Sequence, residues 1–237
     1  MTENQAREEI CRVGASLFAR GYVHATAGNI SVRLDEGQGG GFLITPTDAC
    51  LGFLDPARLS RLDADLNHQG GDKPSKTIAL HRQIYRATAG TPTAARCVIH
   101  THSTHCVALS LDTASRTPGV AFQDALLQPE LLPALTPYFV MKVGHVPLIE
   151  YHRPGDAAAA VAVAAAIQNY NAAGTPIRAV MLERLGPNVW HETPAAAMAV
   201  LEELEETAKL WLLNGGRSAA LADAALHALR VTFGVYW

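Results

Sequence analysis

Two histidines one residue apart, His100-Thr101-His102, close a short apolar run, ARCVIHTH. Side chains alternate across a strand, so both imidazoles of such a pair face one side. At a strand terminus they can take neighbouring positions around one divalent cation. The same spacing also describes a hydrogen-bonded surface pair, because a metal site normally draws three or more ligands. Three further clusters carry groups suited to anions and hydroxyls. In Thr26-Ala27-Gly28-Asn29, glycine lets backbone N–H groups approach a ligand and Asn29 offers both a donor and an acceptor. Thr45-Pro46-Thr47-Asp48 brings hydroxyls into a second turn. Lys73-Pro74-Ser75-Lys76 stands at a helix start, where unpaired N–H groups favour an anion. His105 opens the next helix and reads as a supporting residue.

The elements that must position these groups follow from patterning. Thr2 and Gln5 resemble a capping box, and Ile10, Val13, Leu17 and Phe18 recur at helical spacing, which predicts a helix over residues 3–20. Asn29–Leu34 and Gly41–Thr45 read as a hairpin around the glycine-rich DEGQGGG. A helix is predicted over Lys73–Ala87, a strand over Ala94–His102 and a helix over Ser103–Leu111. Pro118–Pro137 is proline-rich and gives no clear pattern. Strands are predicted at Tyr138–Lys142 and His145–Tyr151, and Asp156 caps an alanine-rich helix ending near Gly174. Arg178–Glu183 and Asn188–His191 read as a strand pair across a Gly186-Pro187 turn. Thr193-Pro194 then begins a helix to Asn214, whose Met198, Leu201, Leu204, Ala208 and Trp211 form a stripe for packing on a sheet. Hairpins and interleaved helices without strict βαβ order predict a three-layer α/β/α sandwich with a mainly antiparallel central sheet, in one domain spanning residues 1–237.

Composition narrows the function. The 237 residues carry 19 basic and 22 acidic side chains, a net charge of −3. That balance lacks the electrostatic attraction nucleic-acid binding needs, so no nucleic-acid partner is expected. No apolar run reaches the ~18 residues of a membrane span, and no membrane partner is expected. The N-terminus has no signal-peptide pattern, and Cys11, Cys50, Cys97 and Cys106 form no CxxC pair; both point to reduced thiols in a cytoplasmic protein.

GYVHATAGNISVRL, GFLITPTDACLGFLDPARLS, GDKPSKTIALHRQIYR and CVIHTHSTHCVALS together resemble the class II aldolase/adducin family over nearly the whole chain. LGFLDPARLS, GDKPSK, TPYFVMKVGHVPLIEYHRPGD and LEELEETAKL are most similar to its 3-oxo-tetronate 4-phosphate decarboxylase branch. The resemblance implies a homotetramer with sites at subunit interfaces and a divalent metal, Zn2+ or another. It implies His100 and His102 as metal ligands, Asn29, Thr47 and Ser75 as substrate-phosphate contacts, and Lys76 as an added anion partner. The implied activity is that of a metal-dependent carbon–carbon lyase, decarboxylating a small 3-oxo sugar acid or its phosphate. There the cation would stabilise the enediolate left as the bond breaks.

Three positions depart from the family pattern. The glutamate after PSK, the usual general acid/base, is Thr77; the third metal histidine is Leu185; the glycine after TPT is Asp48. Threonine has no pKa suited to proton transfer near neutrality. His152, ahead of His145, is the candidate third ligand, and Glu183 the candidate base. The departures keep other readings open: a fuculose-phosphate-type aldolase, an aromatic-acid decarboxylase, or a non-catalytic adducin-like binding module.

Overall fold

A computed structural model describes residues 1–111, 117–123 and 125–237. Helix α1 (Glu3–Ala19) opens on the expected capping box and buries Ala6, Ile10, Val13 and Leu17. Strands β1 (Asn29–Arg33) and β2 (Phe42–Ile44) form the expected hairpin. Two short strands follow, β3 (Ser60–Leu62) and β4 (His68–Gly70), then α2 (Ile78–Ala87), β5 (Cys97–His100) and α3 (Thr104–Leu111). A small ribbon, β6 (Ala121–Phe122) with β7 (Ala125–Leu126), occupies part of the proline-rich region, in which residue 124 lies outside the described residues. The remainder is α4 (Pro137–Lys142), β8 (Leu148–Ile149), α5 (Ala157–Ala172), β9 (Ala179–Leu182), β10 (Gly186–His191), α6 (Pro194–Leu213) and α7 (Asp223–Phe233).

Eight strands make one sheet in the order β4-β3-β2-β1-β5-β10-β9-β8, antiparallel throughout except for the β8–β9 pair. Alternating strand residues divide between two cores. Ile30, Val32, Ile99, Val189 and Met181 face α1, α3, α4 and α6, while Val98, Trp190, Val180 and Phe42 face α2 and α5. Each fully buried aliphatic side chain in these layers contributes about 2 kcal/mol of transfer free energy. The α/β class and the mainly antiparallel sheet therefore hold, with helices on both faces.

Four boundaries differ from the sequence-based expectation. Residues 138–142 are helical, because Thr136 accepts the Phe139 N–H at 3.0 Å and Pro137 sits at the first helical position. The helix expected from Lys73 begins only at Ile78: Thr47 N–H donates to Lys73 O and Ser75 N–H to Thr45 O, which holds residues 73–75 extended beside the strand hairpin. Gly186 and Pro187 belong to β10, and the reversal before them is Glu183–Leu185, with Arg184 at φ +64°. Of His145–Tyr151, only Leu148–Ile149 pairs as a strand.

Candidate functional site

The site grows from the register of three central strands. His100 on β5 is opposite Asn29 on β1 and opposite Asn188 on β10, so three polar side chains stand in a row on the face covered by α2 and α5. All three are buried. Thr101 N–H donates to Pro187 O at 3.3 Å, which makes His100 and Asn188 a non-hydrogen-bonded pair, the closer of the two cross-strand geometries.

His100 Nδ1 lies 3.0 Å from Pro187 O. A carbonyl only accepts, so Nδ1 carries the proton and the Nε2 lone pair is left for another partner. Burial, with a further push from His102, lowers the His100 pKa to about 3, so the ring is neutral at pH 7, the form a metal ligand requires. His102 is half-buried and its pKa is lowered by desolvation and by His24. The His100 and His102 ring centres are 5.1 Å apart. Two imidazoles bonded to one cation at about 2.1 Å per N–metal bond have comparable spacing. The pair fits a shared cation.

Asn29 and the PSK segment are also brought together. Asn29 Nδ2 donates to Thr77 Oγ1 at 3.3 Å, and the Ser75 hydroxyl reaches the same oxygen at 3.3 Å. Thr77 thus links Asn29 to Ser75 from the start of α2, and Lys76 stands exposed beside them. Thr47 is tied to the start of that segment, its N–H donating to Lys73 O at 2.9 Å, and it lines an open cleft of about 580 Å³ with Asp48, Phe53, Arg58, Asp72 and Lys73. Deeper on the same face, the Ser31 hydroxyl sits 2.7 Å from both His81 Nδ1 and Tyr85 Oη.

The other expected contributors sit elsewhere. His152 follows β8, which is three strands from β5, or about 14 Å across the sheet. His145 stacks on Trp237 at 4.1 Å between ring centres and meets Glu130 at 3.0 Å, a buried structural arrangement. Glu183 Oε2 accepts the Tyr151 N–H at 3.1 Å, fastening the ends of β8 and β9. Leu185 is partly buried and packs on the α2/α5 core. Among the described residues, no three His, Cys, Asp or Glu side chains converge as a metal-ligand set.

Two residues were missed by sequence reasoning. His24 lies edge-on to His102, with ring centres 6.5 Å apart; the turn through Ala25 (φ +47°) and Gly28 (φ +85°) brings it there. Asn188 was passed over inside the strand GPNVWH, where an amide at a buried position of a central strand is itself the signal. Its Oδ1 and Nδ2 both lack a hydrogen-bond partner, as does Asn29 Oδ1.

Two close approaches fix this geometry. Thr101 O would lie 1.9 Å from a Cβ at Gly186, and His100 O would lie 2.9 Å from one at Gly28. Behind the His100–His102 segment, buried Glu205 of α6 accepts the His105 and Cys106 N–H groups at 3.0 and 3.1 Å, and His105 Nδ1 lies 2.8 Å from it. This carboxylate pins the N-terminus of α3 to α6.

The family model of the class II aldolase and adducin N-terminal domain matches residues 8–212. The chain belongs to the class II aldolase and adducin family. Within that family it is 51% identical to the 3-oxo-tetronate 4-phosphate decarboxylase of Cupriavidus necator, over 100% of this chain and 99% of the relative. The enzyme of the same name from Escherichia coli K12 is 39% identical, over 91% of this chain and 90% of the relative. The L-fuculose phosphate aldolase of Methanocaldococcus jannaschii is 30% identical, over 87% and 93%. Among solved structures, Escherichia coli YgbL, named for aldolase, epimerase and decarboxylase activities, superposes with a TM-score of 0.79 at 37% identity, covering 96% of this chain and 99% of that one.

Proposed function

We propose that this chain is a lyase that decarboxylates a 3-oxo sugar acid 4-phosphate, the reaction named for its relatives at 51% and 39% identity. The observation that carries this choice over aldol cleavage is Thr77. Aldol cleavage must first remove a hydroxyl proton, and that needs a base at the breaking bond. Decarboxylation of a 3-oxo acid does not. The C1–C2 bond breaks, its electron pair moves toward the 3-oxo oxygen, carbon dioxide leaves, and C2 then takes a proton from solvent. A threonine that only organises Asn29 and Ser75 is compatible with the second reaction.

Position by position, His100 and His102 would hold a divalent cation, whose chemistry is to stabilise negative charge developing on the substrate oxygens. Asn29 and Ser75 orient the substrate by hydrogen bonds, and the exposed Lys76 ammonium draws the phosphate. Thr47 contributes from the neighbouring cleft. Zn2+ or Mn2+ suits the imidazole pair. A homotetramer is what the family resemblance implies, and exposed apolar side chains, among them Phe53 at 80% exposure, Leu213 and Val231, are available to subunit contacts. A cytoplasmic setting is supported by four free cysteines, with Cys11 pushed up to about 11 by burial. No helix among the described residues is long and apolar enough to cross a membrane.

The deciding experiment supplies metal-loaded protein in parallel with 3-oxo-tetronate 4-phosphate, a ketose 1-phosphate and a dihydroxylated aromatic acid. Carbon dioxide release from the first, with no aldehyde from the second, is the expected pattern. Aldehyde release, or turnover of the aromatic acid alone, overturns the reading. The packing of Leu185 into the core favours one rival, an adducin-like binding module, and absence of turnover on all three substrates would support it.

A further inference from the structure

We propose that the Asn188 carboxamide is a donor to the cation held by His100 and His102, its oxygen standing where the family pattern calls for a third imidazole. This deepens the reading above and rests on it. Leu185 offers no donor and is already spent on the core. Three residues further along, inside β10, Asn188 stands directly opposite His100 in the closer cross-strand geometry. The bond from His100 Nδ1 to Pro187 O leans the ring toward β10, and so toward the residue after Pro187.

The Asn188 side chain is fully buried, and neither its oxygen nor its nitrogen has a hydrogen-bond partner in the protein. Such a group costs free energy unless something in the interior meets it. Asn29 Oδ1, on the opposite flank of His100, is orphaned in the same way, while its Nδ2 is held by Thr77. His100 therefore stands between two unpartnered amide oxygens. A cation is the occupant whose chemistry answers oxygens and imidazole nitrogens together. Carbonyl oxygens suit harder ions such as Mn2+, and imidazole suits the later transition metals, so a mixed set of this kind accepts a borderline divalent ion. His24 is the competing third donor, but its ring centre is 6.5 Å from His102, longer than the 5.1 Å of the His100–His102 pair.

The test is direct titration of metal-free protein with Mn2+, followed by the free-ion EPR signal, and with Co2+, followed by visible absorption. Unsubstituted protein, Asn188→Leu, Asn188→Asp, His24→Ala and His100→Ala are compared. Asn188→Leu is expected to weaken Mn2+ binding at least tenfold, Asn188→Asp to retain or tighten it, and His24→Ala to change it less than threefold. Asn188→Leu is also expected to raise the melting temperature of the metal-free protein, since it removes an unpaired buried amide, and to abolish the upward shift that Mn2+ produces. Equal Mn2+ affinity in Asn188→Leu and unsubstituted protein overturns the inference, as does a tenfold loss confined to His24→Ala. Failure of unsubstituted protein to bind either ion strikes the functional reading beneath it. Binding that is lost in His100→Ala and kept in Asn188→Leu strikes this inference alone.

Discussion

His81 has no solvent contact, and burial, reinforced by His100, lowers its pKa to about 3. In the unfolded chain the same imidazole titrates near 6.5. Below that pH the unfolded state binds a proton that the folded state refuses, so folding stability falls as pH drops from about 6.5 toward 3. Each such residue contributes a slope of about 1.4 kcal/mol per pH unit across that window. Urea unfolding of metal-free protein between pH 6 and 4 should show the slope reduced by about that amount in His81→Asn; an unchanged slope would contradict the assignment. At Thr77, Thr77→Val should keep kcat for decarboxylation within tenfold while raising KM, because the threonine positions Asn29 and Ser75 and moves no proton. Steady-state kinetics showing a thousandfold loss in kcat would make Thr77 part of the chemistry. Of these residues, the His100-Thr101-His102 pair was legible because its signal is local, a period of two on one strand. Asn188 and His24 join it through cross-strand register and a reversed turn, which no single segment displays.

At the scale of elements, β5 and β10 hold the site and α3 anchors it. Gly186 at φ +143° faces Thr101 O, so Gly186→Ala would drive a methyl group into the backbone of the His100–His102 segment. A loss of about 3 kcal/mol, read by chemical denaturation, is the expected cost. Glu205→Ala would leave the part-buried His105 N–H and the buried Cys106 N–H without an acceptor, again at about 3 kcal/mol. A change under 0.5 kcal/mol would mean that α3 is held by its apolar contacts alone. Elements with strong local signals, such as the capped α1 and the alanine-rich α5, could be read from sequence. Residues 137–142 could not, because their aromatic and β-branched content suggests a strand while Thr136 and Pro137 start a helix. Helix α7 was not anticipated; it packs Leu226 against Ala134 and Val140, a contact visible only in three dimensions.

For the whole molecule, the eight-stranded sheet has helices on both faces and carries a polar row where β1, β5 and β10 meet. The layered architecture and the family could be read from patterning and motifs, since both are spread along the chain. The completeness of the site could not, because Asn188, the proposed stand-in for the histidine absent at Leu185, meets His100 only through the register of β5 and β10. The proposed reaction releases carbon dioxide at a centre built on His100. The most direct measurement follows 13C carbon dioxide from 3-oxo-tetronate 4-phosphate labelled at C1, using metal-loaded unsubstituted protein and His100→Ala side by side. One labelled carbon dioxide per substrate consumed, with the rate at least a hundredfold lower in His100→Ala, is the predicted result. Absence of labelled carbon dioxide, or equal rates in the two proteins, would contradict the account.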